Sequence, residues 1–379
     1  MDFNKFFCLI FNIVFIPHLI GANIYGQVME PISNSIDRKW DVNMEHKYFK
    51  GNKPNKYSAY NGGSSRPLIA GEGAIDAKTI DYPYVVQVFQ RSMASNRRQV
   101  WRFRCTGAIL DRKVIIVSGF CIGNSPYKIS LERGSNFAIL AGEDYHDRPR
   151  SDLDSRYKRV ESFTMHPLSK ILNGTTGMEY DIALLKLSEE LNFEESEGKI
   201  GKITICRRDG EYWANVWNEG VPGLVVGWGW KTGRRCCEVA DTLKVMHQEI
   251  ITNYQCQKRL DERIKLHTPP KVPHCLIFCS DDYNDDNKAY LCKTDTGVLY
   301  IINGTLYGIA AWFQEECPDW NLKNPKTDMS RYEQPTRIVM YNKLSSFGLY
   351  DWIIDTTKKL MDGVPVENIQ FDIPRIEYE

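Results

Sequence analysis

Residues 68–361 predict an all-β domain, a sandwich or a barrel. Three observations carry that expectation. Short apolar runs rich in β-branched residues alternate with turn signals, as in Tyr84-Val85-Val86-Gln87-Val88, Val114-Ile115-Ile116-Val117 and Gly223-Leu224-Val225-Val226. Two stretches read as helical, Asn253–Ile264 and Ser345–Leu360, the second with Leu349, Trp352, Ile353 and Leu360 on one side. The composition, 42% hydrophobic and 12% aromatic, suits a packed core and argues against general disorder.

The elements follow in chain order. Residues 6–20, FFCLIFNIVFIPHLI, are apolar, follow Lys5 and precede the small residues Gly21, Ala22 and Gly26. This is the pattern of a secretory signal peptide, residues 1–22 with cleavage somewhere in 22–26. It is short for a membrane span, which needs about 20 apolar residues. Residues 27–66 are polar, lack cysteine and end in Tyr60-Asn61-Gly62-Gly63-Ser64-Ser65, the composition of a linker. Residues 363–379 are acidic and contain proline, and read as a loose tail. No internal repeat is visible. A chain of 379 residues has room for two domains or for one large all-β domain with extensions.

Lys+Arg and Asp+Glu both total 48, so the net charge is zero, which argues against a nucleic-acid partner held by bulk charge. Eleven cysteines point to an oxidising compartment; losing the signal removes Cys8 and leaves ten, an even number that suits disulfides. A secreted, extracellular chain is expected. Two sequons fit secretion, Asn173-Gly174-Thr175 and Asn303-Gly304-Thr305, and both contain the turn-favouring pair Asn-Gly. No metal or other cofactor is expected: the thiol spacing fits no usual zinc pattern, and the acidic cluster Asp281, Asp282, Asp285 and Asp286 is not an EF-hand.

Several strings then fall into one order: Leu68-Ile69-Ala70-Gly71-Glu72-Gly73-Ala74, Tyr82–Val88, Cys105-Thr106-Gly107-Ala108-Ile109-Leu110, Val114–Cys121, Asp181-Ile182-Ala183-Leu184-Leu185-Lys186-Leu187, Val226-Gly227-Trp228-Gly229, Cys292–Gly297 and Gly308-Ile309-Ala310-Ala311-Trp312. Their order and spacing resemble the trypsin/chymotrypsin family of serine proteases over residues 68 to about 361. The resemblance implies two six-stranded antiparallel β-barrels (trypsin-like) with a C-terminal α-helix and an active site in the cleft between them.

That chemistry needs a hydroxyl to attack, an imidazole to take its proton and a carboxylate to orient the imidazole. The family carries its histidine in Ala-Ala-His-Cys; here the string is Ser118-Gly119-Phe120-Cys121, so Phe120 stands at the base position. The serine of Gly-Asp-Ser-Gly-Gly-Pro is replaced by Thr296 within Thr294-Asp295-Thr296-Gly297-Val298-Leu299. Thr294 replaces the oxyanion-hole glycine, where a backbone N–H must approach closely and a β-branched residue fits poorly. Asp181 alone is kept. The degenerate triad is therefore Phe120, Asp181 and Thr296, and no catalytic residue is assigned. A phenyl ring accepts no proton, and loss of a triad member typically costs roughly a million-fold in turnover. The remaining histidines read as ordinary surface or loop residues, His166 among them. Asp181, deprived of imidazole, is expected to bond to backbone N–H groups near Ser118–Cys121 or to become partly exposed, since a buried unpartnered carboxylate is costly.

By the same resemblance the specificity pocket is degenerate. Trp312 keeps a wall position, Phe313 and Val339 replace wall glycines, and Tyr290 stands at the floor where trypsin-like enzymes carry an aspartate. The string that would be freed by activation begins at Leu68 after Pro67, and a trypsin-like cut after Arg66 would have to cleave an Arg-Pro bond, so Asp295 is expected to lack a freed ammonium to pair with. The implied disulfides are Cys105–Cys121, Cys256–Cys279 and Cys292–Cys317; the first closes about 15 residues and is worth roughly 3 kcal/mol in the chain-entropy account. A further family bridge is lost at both ends, at Gly223 and Ile302. Of the remaining cysteines, one of Cys236 and Cys237 is expected to pair with Cys206 and the other with Cys275.

The resemblance is to insect secreted pseudoproteases, which act as cofactors, scaffolds, decoys or regulators of extracellular proteins. Residues 27–66 lack the six cysteines of a clip domain, which points towards other settings, reproductive or seminal fluid among them. The implied partners are extracellular proteins, an active protease included, with neither nucleic acid nor, after signal removal, a membrane. The segments Asp319–Arg337 and Ser280–Tyr290 border the old cleft entrance and are the candidate partner surface. The rival readings are a residual hydrolase using Thr296 and an inhibitor that occupies an active protease or its substrate.

Overall fold

A computed structural model describes residues 74–93, 99–123, 134–147, 153–169, 179–207, 221–228, 230–231, 238–239, 241–263, 272, 275–282, 291, 295, 297–312, 338–346 and 348–364. The signal and linker expectations, and the expected tail beyond Val364, lie outside them.

The first barrel is formed by β1 (Val85–Met93), β2 (Gln99–Asp111), β3 (Val114–Ser118), β4 (Phe137–Ala141), β5 (Tyr157–Met165) and β6 (Ile182–Leu187). It closes in the order β1-β2-β3-β6-β5-β4, every neighbour antiparallel. Strand β3, Val-Ile-Ile-Val-Ser, is buried at all five positions, as a short β-branched run inside a barrel should be. The second barrel contains β7 (Val221–Gly227), β8 (Lys244–Ile251), β9 (Ile277–Asp282), β10 (Leu299–Ile302), β11 (Thr305–Trp312) and β12 (Val339–Lys343). Its closed path is β7-β8-β9-β12-β11-β10, again antiparallel throughout. The two barrels therefore repeat one strand order, a likeness the sequence conceals. Closure leaves neither barrel with a free edge.

The described residues also form three α-helices: α1 (Gly119–Gly123), α2 (Asn253–Arg263) and α3 (Leu349–Met361). Both helices expected from sequence are present. Leu349, Trp352, Ile353, Thr356 and Leu360 form the buried stripe of α3 at helical spacing. Lys358 and Lys359 lie in its last turn, where cations complement the helix dipole.

The barrels are tied by specific polar bonds. The Asp181 N–H donates to Asn342 Oδ1 at 3.1 Å, and Asn342 Nδ2 donates to the Asp181 carbonyl at 3.3 Å. The Trp228 N–H donates to Thr106 Oγ1 at 3.2 Å. No helix among the described residues is long and apolar enough to cross a membrane.

Candidate functional site

Strand β3 ends at Ser118 and the chain turns at once into α1, which carries Phe120. Strand β6, paired with β3 through Ser118 and Ile182, delivers Asp181 to the same corner. Asp181 and Ser118 are fully buried and Phe120 is half-buried. The Ser118 hydroxyl donates to Asp181 Oδ2 at 2.5 Å, and the Phe120 N–H donates to Oδ1 at 2.7 Å. Of the two outcomes expected for Asp181, backbone bonding is the one found. Burial pushes its carboxyl up to about 7, and the bonds from Ser118, Phe120 and Gly119 oppose that rise. Both carboxylate oxygens are thus engaged by neutral donors from one three-residue stretch, Ser118 to Phe120.

Gly119 is required here by close approach. A Cβ at this position would lie 2.9 Å from Asp181 Oδ1 and 3.1 Å from Met165 Cε. The Ala-Ala-His-Cys string of the family thus becomes Ser-Gly-Phe-Cys with a physical logic: serine supplies the lost donor, and glycine lets the carboxylate come close.

Tyr180, just before Asp181, has φ 53°. That is the left-handed region, unusual for a bulky residue. Its ring stacks on His166 at 4.4 Å between centroids with 9° between planes, and His166 meets Trp352 edge-on at 4.8 Å. His166 stands in the turn after β5, as the sequence led one to expect, but it is no surface residue: it is wholly buried, and burial pushes it down to about 3. Its Nδ1 accepts from the Leu168 N–H at 3.2 Å, which places the proton of the neutral ring on Nε2. Its ring packs against Tyr180 and Trp352.

Phe120 is covered by Arg104, whose guanidinium carbon lies 5.6 Å from the ring centroid. Arg104 Nε donates to the Cys121 carbonyl at 3.1 Å and Nη2 to the Phe120 carbonyl at 3.4 Å. Carbonyls at the end of a short helix need such donors. The adjacent Cys105–Cys121 disulfide anchors α1 to β2. Against it packs Gly297, at φ 84°, where a Cβ would lie 2.5 Å from the Thr106 carbonyl oxygen and 3.4 Å from Cys121 Sγ. The residue after Thr296 is thus brought beside the residue after Phe120, the juxtaposition a cleft between the barrels demands. Thr296 and Thr294 themselves lie outside the described residues, while Asp295 is buried.

Of the pocket positions, Val339 is buried in β12 and belongs to the second barrel's aromatic cluster with Phe278, Tyr300 and Tyr341. The backbone of Trp312 ends β11 opposite Met340. Tyr290 and Phe313 lie outside the described residues, as do Asn173, Cys236, Cys237, Cys292 and Cys317. Asn303 is exposed. Cys256 and Cys279 are bonded, joining α2 to β9. Cys275 is also disulfide-bonded, to a residue outside the described set. Cys206 is buried with its sulfur 3.3 Å from the Arg207 carbonyl.

The expectation that Ser280–Tyr290 forms a partner surface needs correction at its start. Ser280 and Asp281 are buried in β9; Asp281 pairs with Arg259 of α2, and Ser280 bonds Gln248. A buried carboxylate in a strand takes a partner from the nearest helix rather than facing water. Among the described residues no group of His, Cys, Asp and Glu is arranged to hold a metal ion.

A family model described as Trypsin matches residues 73–333, well over half of the chain. The chain belongs to the trypsin family. Kallikrein 1-related peptidase-like b4 of Mus musculus is 22% identical over 258 residues, covering 67% of this chain and 82% of that protein. Inactive serine protease PAMR1 of Pongo abelii is 22% identical over 114 residues, 29% of this chain and 15% of that protein. The solved structure of neuropsin, a serine protease expressed in the limbic system of mouse brain, aligns with a TM-score of 0.50 at 17% identity, over 75% of this chain and 98% of that one. At that identity the likeness speaks for the fold.

Sequence reasoning missed three residues of this corner. Ser118 was visible only as one letter in the degenerate histidine string, Arg104 precedes the conserved-looking Cys105 without any motif of its own, and Asn342 gave no signal.

Proposed function

We propose that this chain is a secreted, non-catalytic trypsin-family protein that works by binding other extracellular proteins as cofactor, scaffold or regulator. The observation that carries the reading is the engagement of both Asp181 oxygens by Ser118 and the Phe120 backbone. A triad carboxylate acts by orienting an imidazole and stabilising the imidazolium. Here the side chain at that position is hydrocarbon, and the carboxylate bonds its own neighbourhood instead. The disulfides favour an oxidising compartment, and the inactive relative PAMR1 is compatible with loss of catalysis.

The test is direct. Purified chain is expected to leave peptide esters intact and to leave Thr296 unlabelled by a fluorophosphonate probe. Ester turnover or labelling that disappears in Thr296→Ala would overturn the reading in favour of a hydrolase. Binding is tested by co-purification from extracellular fluid, seminal fluid included. Exchange of residues 283–290 or 319–337 for a short Gly-Ser turn is expected to weaken capture of the partner. The swap begins after Asp282 because β9 is part of the barrel. A competition assay with an active protease separates a scaffold from an inhibitor.

A further inference from the structure

The hairpin joining β10 to β11 is a two-residue turn, with Ile302 paired to Thr305 and Asn303-Gly304 between them. Both turn residues have positive φ, 49° at Asn303 and 70° at Gly304. That is the type I′ geometry for which Asn-Gly is the favoured pair. Asn303 and Gly304 are exposed, Thr305 is partly so, and a Cβ built on Gly304 meets nothing within 4 Å. The exposure of Asn303 and the open space at Gly304 leave room for a bulky addition at this tip. The triplet Asn303-Gly304-Thr305 is also an acceptor sequence for N-linked sugar.

The place of the tip gives the modification its meaning. Gly297 packs against the first barrel at Thr106 and Cys105. From there β10 runs away through Leu299, Tyr300, Ile301 and Ile302, four strand residues or roughly 13 Å. Its neighbour β7 agrees, since Gly227 at one end approaches Thr106 while Val221 lies at the other. The Asn303 turn thus lies at the opposite end of β10 from Gly297, where Thr305 pairs with Thr204 in the segment that bonds the first barrel through the Ile203 N–H and the Ile109 carbonyl.

We infer that Asn303 carries an N-linked oligosaccharide that covers this end of the hairpin and leaves the Gly297 corner uncovered for a protein partner. The inference rests on the secretory part of the function proposed above. In the transfer, the Asn303 side-chain nitrogen forms a bond to the anomeric carbon of a polyisoprenyl-pyrophosphate-linked oligosaccharide. The sugar–phosphate bond breaks, the lipid pyrophosphate leaves with the electron pair, and the amide loses one proton to base. No oxidant or reductant is needed.

The experiment uses the full chain in secretory eukaryotic cells, with its own first 26 residues in one arm and the leader of a known secreted protein in their place in the other. Medium and lysate are both treated with peptide N-glycosidase in heavy-oxygen water, and the peptide spanning Asn303 is weighed. Heavy-isotope aspartate at position 303 is expected only after enzyme treatment. Thr305→Val, which keeps a β-branched strand residue but removes the acceptor hydroxyl, is expected to abolish the label and increase mobility by one glycan, as is Asn303→Gln. Thr305→Ser is expected to retain it. With the borrowed leader, an unlabelled Asn303 overturns the inference, as does a label that appears equally without enzyme, which marks spontaneous deamidation of the Asn-Gly pair. If only the borrowed leader yields the glycan, the secretory reading fails and the site stands.

Discussion

In the first barrel the buried polar cluster is built around a carboxyl, Asp181; in the second it is built around an amide, Gln248. The two barrels share one strand order, yet they settle their buried polar groups differently. Asp181 takes its donors from a single stretch, Ser118 to Phe120, and its charge depends on pH. Gln248 sits among aromatic rings: Tyr341 donates to Oε1 at 2.8 Å, Ser280 bonds the same oxygen, and Tyr300 donates to the Gln248 carbonyl at 3.0 Å. Phe278 stacks on Tyr341 at 5.0 Å. In the first barrel hydrogen bonds decide the arrangement, in the second it is volume. Gly223 leaves the space that the Tyr300 ring fills, for a Cβ there would lie 2.4 Å from that ring.

The largest test of this contrast is Asp181→Asn followed by urea unfolding across pH. The carboxyl titrates near its ordinary 3.8 when unfolded and at about 7 when folded. Below pH 4 it is neutral in both states, and the stability of the buried neutral form is fully present. Between these values the folded chain holds a proton that the unfolded chain has released, so stability falls as pH rises, and the loss is complete above about 7. The asparagine amide can donate to Ser118 Oγ while its oxygen accepts from Phe120, so it replaces the neutral acid without titrating. It is expected to remove this slope, a gain relative to the parent chain of up to about 4 kcal/mol at pH 8 and little at pH 4. Equal effects at both values would sink the account of Asp181.

Ser118→Ala sharpens the same comparison in the opposite sense. It removes a donor that matters most to the ionised carboxylate, so the loss is expected to grow with pH to about 1.5–3 kcal/mol at pH 8. The titration midpoint of Asp181 should move above its parent value.

In the second barrel, Gly223→Ala is expected to cost about 1–3 kcal/mol, since the ring it meets is fully buried and cannot swing aside. The cost should shrink in a Tyr300→Leu background when both are followed by denaturant melts. An undiminished cost would mean that the ring is not what glycine accommodates. The smallest effect is expected for Tyr341→Phe, about 1 kcal/mol for one neutral bond. It should be the same at pH 5 and pH 8, unlike either change at the first-barrel site.

Much of the fold was legible because barrels impose short β-branched runs, and α3 imposes a stripe of apolar residues at helical spacing. Phe120 was legible because it stands beside Cys105's partner, Cys121, whose covalent bond leaves little freedom for the residue before it. The remainder depends on contacts between positions far apart in the chain. Ser118 and Asp181 are 63 residues apart, and either alone reads as an ordinary strand-end residue. His166 was legible as a loop histidine because Met165-His166-Pro167 has turn chemistry, but its burial was not: Tyr180 and Trp352 enclose it only after β5, β6 and α3 have packed. Gly223 looked like half of a vanished bridge, and the aromatic ring that uses its space lies on another strand.

Residue identity by itself settled which chemistry is missing at position 120, because an unsubstituted phenyl ring has no lone pair to accept a proton in any conformation. Tertiary structure alone decided what became of the carboxylate left behind. Its protonation is set by how completely packing removes water and by which donors packing brings within 3 Å, and both are properties of the assembled barrels.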